Sequence, residues 1–271
     1  MDTAHSMQRL EAEVRRLGEY QLHESRSLAA DQVRVKRITG DEDSLVTDID
    51  LESERRLHAF VQREFPEHSF LGEETGHHVR DPAHYWIVDP IDGTTNFTHD
   101  IPYWGPSVAY WHLGQPVLGL VYFPALDCLF KAIHGGGAML NDTPIHTSDV
   151  EAYSSLTMVA LHSRSHYSHH LRSRAKVRVL GSIIANMCFT ARGTFAAMHG
   201  RGRLWDVAAG ILILQEAGAV IDCAPDCRGI DPSRYGHDGN EGALFSLQAR
   251  ANTTLPPLGP LLAPTTTVPC G

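Results

Sequence analysis

A layered α/β or α+β architecture is what this sequence predicts, and three observations carry the prediction. Short apolar runs that end in acids, such as "SFLGEE" and "YWIVDP", read as strands. Two early segments and two late ones carry helix-type apolar spacing or continuous apolar helical runs. Strands and helices then interleave without strict βαβ alternation. The 271 residues, 42% hydrophobic and 20% charged, are in the range of a soluble globular chain that buries roughly 75% of its unfolded surface.

Element by element, residues 7–29 and 50–64 are predicted helices; Leu51, Leu57, Phe60 and Val61 set the spacing of the second. Between them "GDEDSLVTDID" is an acidic loop leading to a helix start near Asp48 to Asp50. "PSVAYWHLGQPVLGLVYFP" reads as two strands around a turn at Gly114–Pro116, and "HGGGAMLN" as a Gly-rich turn into another strand. Further on, "LTMVAL", "KVRVL" and "GAVID" are predicted strands. "SIIANMCFTA" and "WDVAAGILILQEAG" are predicted helices, the second closed by Gly218. The Pro- and Thr-rich tail over 248–271 is expected to be partly disordered, after one continuous unit over 1–247 whose halves meet near 148.

Charge and cysteine usage narrow the function. A formal net charge of −9 and a pI near 6.0 argue against a nucleic-acid binder, yet leave room for an anionic substrate where bound cations reverse the local field. The N-terminal stretch lacks the apolar core of a secretory signal, and no run approaches the ~18 apolar residues of a membrane span. Five scattered cysteines suit reduced thiols, so the expected compartment is the cytoplasm. Cys223 and Cys227 in "CAPDC" have half of a zinc spacing, but no second pair matches it. The 17 histidines are densest in "HSRSHYSHH", His162–His170, which reads as a solvated polar loop. Tyr103 and Trp104 read as core or subunit-interface aromatics.

The chemistry-bearing residues are acids at the ends of apolar elements: Glu73 and Glu74, Asp89 and Asp92, and Asp206 at the head of an apolar helix. Converged on one point, such carboxylates suit a hard cation such as Mg²⁺. Gly93 and Thr94, directly behind Asp92, offer backbone amides for an anion. Each segment alone is equally a turn or a helix cap. Together they lay out what phosphate-ester hydrolysis requires.

Three of these segments resemble the signature motifs of the inositol monophosphatase superfamily, a family of Mg²⁺-dependent, lithium-sensitive phosphomonoesterases: "GEE" (Gly72–Glu74), "DPIDGTTNF" (Asp89–Phe97) and "WDVAAG" (Trp205–Gly210). "LVTDID" (Leu45–Asp50) and "GSIIANM" (Gly181–Met187) resemble two supporting segments, and the likeness runs from about residue 7 to about 247. The resemblance implies an α-β-α-β-α sandwich of the inositol monophosphatase/fructose-bisphosphatase type, assembled as a homodimer. It implies that Glu73, Asp89 and the carbonyl of Ile91 hold one cation and that Asp89, Asp92 and Asp206 hold a second. A third, weaker cation would touch Glu73, with Mn²⁺ an alternative metal and Li⁺ an inhibitor. Thr94 and Asp50 would orient the attacking water, making Glu73, Thr94 and Asp50 the catalytic set; phosphate would meet Asp92 and the amides of Gly93 and Thr94.

The substrate side departs from the pattern. Inositol-specific members carry an acid seven places before the last metal-binding Asp, where this chain has His199. Ile183 stands where a small Ala is usual, and Thr194 and Phe195 where an Asp is usual. The basic trio His199, Arg201 and Arg203, with Gly181, Ser182 and Ile183, is then the candidate substrate surface, pointing away from plain inositol phosphate and toward a sugar, nucleotide or amino-alcohol phosphate. The expected partner is a small phosphate ester, with neither nucleic acid nor membrane. The competing reading is a non-catalytic member kept as a regulatory or binding subunit; retention of acids at every cation position argues against it.

Overall fold

The structure, a computed structural model, describes residues 2–29, 32–36, 44–165, 169–226, 230–235 and 245–264. Helix α2 (Asp48–Glu64) falls on its predicted segment, whereas α1 (Thr3–Ser25) starts and ends four residues before the predicted 7–29. Between them, β1 (Val33–Lys36) pairs antiparallel with β2 (Ser44–Thr47), so part of the expected acidic loop is strand; its residues 40–43 lie outside the described set. Thr47 caps α2, and Asp50 closes a capping box with it.

The main sheet is built from β3 (His68–Gly72), β4 (Gly76–His78), β5 (Asp81–Asp92), β6 (Gly105–His112), β7 (Gln115–Phe123), β8 (Cys128–Ile133), β9 (Ala138–Leu140) and β10 (Thr143–Ile145). Its eight strands run in the order β10-β9-β8-β7-β6-β5-β3-β4. Along β5, Trp86 and Val88 face α1 and α2 together with Leu10, Leu57 and Phe60. Tyr85 and Ile87 face the opposite way, onto the second layer of helices. Both faces are covered, which is why the strand reads as an unbroken apolar run. Each large side chain fully buried here contributes about 1.5–3 kcal/mol of transfer free energy.

That helical layer is α4 (Ile183–Ala191) and α5 (Leu204–Glu216), preceded in sequence by the one-turn α3 (Thr94–Thr98). Every residue of α5 from Val207 to Leu214 is buried, because the helix lies between the main sheet and a second one. Gly119 on β7 allows the close approach: a Cβ there would sit 2.7 Å from the backbone oxygen of Ala209. The second sheet is ordered β13-β11-β14-β16-β15, from β11 (Met158–Leu161), β13 (Lys176–Arg178), β14 (Ala197–Gly202), β15 (Val220–Ala224) and β16 (Phe245–Arg250). Ala160 and Met198 face the helices, while Val159 and Ala197 face away onto Leu255, Leu258 and Leu262. β12 (His169–Leu171) pairs with β17 (Leu262–Pro264), so residues up to 264 of the Pro-rich tail are structured; 265–271 lie outside the described residues. Of the five layers expected, helix, sheet, helix and sheet are present among the described residues, and the far face of the second sheet packs on Leu255, Leu258 and Leu262 of the tail segment. No helix among the described residues is long and apolar enough to cross a membrane.

Candidate active site

Strand pairing brings two of the acids together. β3 and β5 are parallel, with Gly72 opposite Val88, so the residues that follow, Glu73 and Asp89, leave the same sheet edge side by side. The Glu73 amide donates to the Val88 carbonyl at 3.1 Å. Asp89 and Asp92 are three apart and would face opposite sides of a regular strand. The register against β6 shifts between them, with Asp89 opposite Ser107 and Asp92 opposite Gly105. That bulge turns both carboxylates toward one cleft. Within it, the Ile91 amide donates to Asp89 Oδ1 at 2.9 Å.

The other half of the chain supplies Asp206 and Ser182. Asp206 sits in the first turn of α5, where its Oδ2 accepts from the Arg203 amide at 2.6 Å. Ser182 caps α4, accepts from the Ala185 amide at 3.0 Å, and donates its hydroxyl to Asp92 Oδ2. Glu73, Asp89 and Asp206 each present an oxygen, and these three oxygens lie within 4.8 Å of one another.

Such crowding is electrostatically costly without cations. Burial, reinforced by Asp206, pushes the Glu73 carboxyl well above the usual range; burial with Glu73, Asp92 and Asp206 does the same to Asp89. Asp92 rises to about 8 through burial and Asp206, against the opposing hydrogen bonds of Ser182 and the Ile184 amide. A donor set of buried carboxylates that repel one another fits hard divalent cations.

Behind the cluster lies the proposed water-orienting pair. Thr94 Oγ1 stands 3.2 Å from Asp50 Oδ1 and 3.1 Å from the Ile91 carbonyl. Asp50 is buried and its carboxyl is pushed up to about 7, by desolvation more than its bonds from Thr47 can offset. Gly93 takes a left-handed φ of +87°, and a Cβ there would lie 2.8 Å from the Tyr103 carbonyl. Glycine is therefore required at the turn into α3.

The cleft measures about 220 Å³ and is lined by all four acids together with Ile91, Gly93 and Thr94. Gly181, Ser182, Ile183 and Arg201 also line it. Asp50 is one shell behind, bonded to Thr94. His199 lies on β14 with 7% exposure, and the cleft residues from that strand are Arg201 and Gly202. Trp104 packs in the core with Ile49, Ile91 and Phe97. Of the "CAPDC" pair only Cys223 is described.

Several contributors escaped sequence reasoning. Glu54, fully buried on α2, accepts from the Glu74 amide at 2.8 Å and the Thr75 amide at 2.7 Å, fixing the turn that carries Glu73. Its signal was an acid four residues after Asp50 on the apolar face of a helix. Lys36 Nζ lies 3.0 Å from Glu74 Oε2 and 3.7 Å from Glu73 Oε1; burial opposes its charge, but the two glutamates prevail and raise its pKa. His162 and Arg164, from the His-rich stretch, line the cleft; residues 166–168 of that stretch lie outside the described set.

The chain is matched over residues 11–253 by the model of the inositol monophosphatase family. It is 37% identical over 186 residues to an inositol-1-monophosphatase of Rhizobium meliloti, covering 64% of this chain and 70% of that one. A fructose-1,6-bisphosphatase/inositol-1-monophosphatase of Thermotoga maritima is 33% identical over 192 residues, 69% of this chain and 74% of its own. Among solved structures, the extragenic suppressor protein SuhB of Bartonella henselae superposes with a TM-score of 0.75 at 24% identity, covering 92% of this chain and 95% of that one, and so speaks to the fold. The Thermotoga maritima IMPase superposes with a TM-score of 0.71 at 25% identity, covering 89% of each chain.

Proposed function

The chain belongs to the inositol monophosphatase family, and from that premise we propose that it hydrolyses small-molecule phosphate monoesters with the help of divalent cations held by its acid cluster. The observation that carries this reading is the convergence of Glu73, Asp89 and Asp206, with oxygens within 4.8 Å of one another, at the wall of a cleft that also holds Asp92 and Thr94.

In this reading Glu73, Asp89 and the Ile91 carbonyl hold one Mg²⁺, and Asp89, Asp92 and Asp206 a second, with room beside Glu73 for a third. Such cations, when bound, neutralise phosphate charge and acidify a bound water. The protein's own part is positioning. The Asp50 carboxylate accepts the Thr94 hydroxyl proton, which leaves the Thr94 oxygen lone pairs to accept from an attacking water. The amides of Gly93 and Thr94 grip phosphate oxygens. Gly181, Ser182, Ile183 and Arg201 shape the leaving-group side. The departures at Ile183 and Arg201 favour a sugar, nucleotide or amino-alcohol phosphate over plain inositol phosphate. We take the phosphatase unit, expected over residues 1–247, to include β16 and the structured tail up to 264, and to work as a cytoplasmic homodimer.

Phosphate release over a panel of inositol, sugar, nucleoside and amino-alcohol phosphates, with Mg²⁺ and with EDTA, tests this. Metal-dependent release from one class is expected. Silence across the panel while the protein still binds cations overturns it in favour of a binding role.

A further inference from the structure

The layer formed by α1 and α2 is apolar toward the main sheet except at one spot. Gln21 on α1 and Ser53 and Glu54 on α2 are polar and fully buried there. Asp50, Ser53 and Glu54 are three and four residues apart, so they share one face of α2. Each is tied to a different segment of the cleft. Asp50 holds Thr94. Glu54 accepts from the amides of Glu74 and Thr75, the two residues directly after Glu73. Gln21 Nε2 donates to Ser53 Oγ at 3.1 Å and to the Pro90 carbonyl at 2.9 Å, one residue beyond Asp89. The packing is close: a Cβ on Gly72 would collide with the Glu54 carboxylate. The segments that deliver Glu73 and Asp89 are thus fastened to adjacent residues of one helical turn.

These side chains are poor devices for stability. Glu54 is a fully buried carboxylate that no cation faces among the described residues. Gln21 Oε1 is buried with no hydrogen-bond partner among the described residues. Apolar side chains of similar volume would spare both penalties. What the pair supplies is position. A cation shared by Glu73 and Asp89 needs their carboxylates at a fixed separation, while their like charges push them apart. Groups behind metal ligands that fix their orientation commonly govern affinity.

We propose that Gln21 and Glu54 are positioning residues which, through the Pro90 carbonyl and the Glu74 and Thr75 amides, fix the separation of Asp89 and Glu73 and so set the affinity of the cluster for divalent cations. The inference rests on the cation-assisted reading above.

The test reads cation binding apart from turnover. Mg²⁺ affinity is measured by calorimetry on the wild-type, Gln21→Met, Glu54→Gln and Ser53→Ala proteins, beside the melting of each without metal. Gln21→Met keeps the volume and deletes the donor to Pro90; Glu54→Gln keeps one acceptor and turns an amide nitrogen toward a backbone N–H. Each should weaken Mg²⁺ binding about tenfold. Turnover should then need correspondingly more Mg²⁺, while KM for the ester at saturating Mg²⁺ moves less than about twofold. Wild-type Mg²⁺ affinity in a folded Gln21→Met or Glu54→Gln protein, whatever its loss of melting temperature, shows a merely structural role and overturns the inference. Should both variants fail to fold, Ser53→Ala decides, because it frees Gln21 of one anchor without emptying a large volume. It should weaken Mg²⁺ about threefold, and unchanged affinity overturns the inference. A protein that behaves so in every binding measurement yet hydrolyses no ester overturns the phosphatase reading and upholds the positioning role. A wild-type protein that binds no divalent cation overturns both.

Discussion

The side-chain amide of Asn96 donates at once to the carbonyl of Tyr103 at 2.8 Å and to the carbonyl of Leu180 at 2.7 Å, across 84 residues of sequence. It thereby fastens the α3 turn, with Gly93 and Thr94, to the segment that delivers Gly181 and Ser182. Gly181 takes a φ of +82°, and a Cβ there would lie 2.5 Å from Asn96 Oδ1, so the contact leaves room for glycine alone.

Asn96→Ala removes both bonds and strands two carbonyls. The expected cost is about 2–3 kcal/mol of stability by denaturant titration. Turnover should fall as well, since Ser182 loses its register with Asp92; wild-type turnover in a destabilised Asn96→Ala protein would show that the two halves are positioned independently of this contact.

Asp89→Asn keeps an acceptor for the Ile91 amide but deletes the charge at the centre of the acid cluster. Turnover should drop by more than about a hundredfold. The metal-free variant should melt at or above the wild-type temperature, because Glu73, Asp92 and Asp206 lose a repelling neighbour. Near-wild-type turnover would remove Asp89 from the cation site.

Metal-free stability should fall as pH rises. The folded-state carboxyls of Asp50 and Asp92 lie at about 7 and about 8, far above their unfolded values. The folded protein therefore holds more protons than the unfolded chain from about pH 4 to about pH 8, and stability is lost across that window as these groups ionise. Cations compete with the same protons. Calorimetry should show Mg²⁺ raising Tm by several degrees at about pH 8.5 and by little at about pH 5.5. A Mg²⁺ shift independent of pH would contradict the assignment of Asp92 as a ligand.

Thr94→Ala should lower kcat by about a hundredfold or more with a smaller change in KM, and Thr94→Ser should recover most of it. Asp50→Asn should act alike, and the wild-type rate should have an acid limb no higher than about pH 7, where Asp50 takes up its proton. Equal kcat in Thr94→Ala and wild type would exclude the hydroxyl from orienting water.

Much of the fold was legible because local periodicity and packing agree. The helices over Asp48–Glu64 and Leu204–Glu216, the hairpin around Gly114 and the strand of Trp86 all lie where apolar spacing places them. The site was legible in its residue types: Asp89, Asp92, Gly93, Thr94 and Asp206 sit in short motifs whose chemistry is written in one stretch of chain. Glu54 was less so, because its partners are amides of a turn 20 residues away. Arg164 was hidden in a stretch that reads as a polar loop.

What the sequence by itself determined is therefore the inventory: acids at element ends, a glycine directly behind Asp92, and a helix start near Asp48 to Asp50. What only the tertiary structure decided is convergence. The parallel pairing of β3 with β5 sets Glu73 beside Asp89, the bulge opposite Ser107 and Gly105 turns Asp92 to the same side, and α5 carries in Asp206 from beyond residue 200. It also decided that Arg201, near the end of β14, lines the cleft while His199, two residues earlier on the same strand, is buried. Positions 199 and 201 share one face of the strand, so sequence alternation cannot separate them; how far along the strand the packed layers cover that face decides which side chain reaches the cleft.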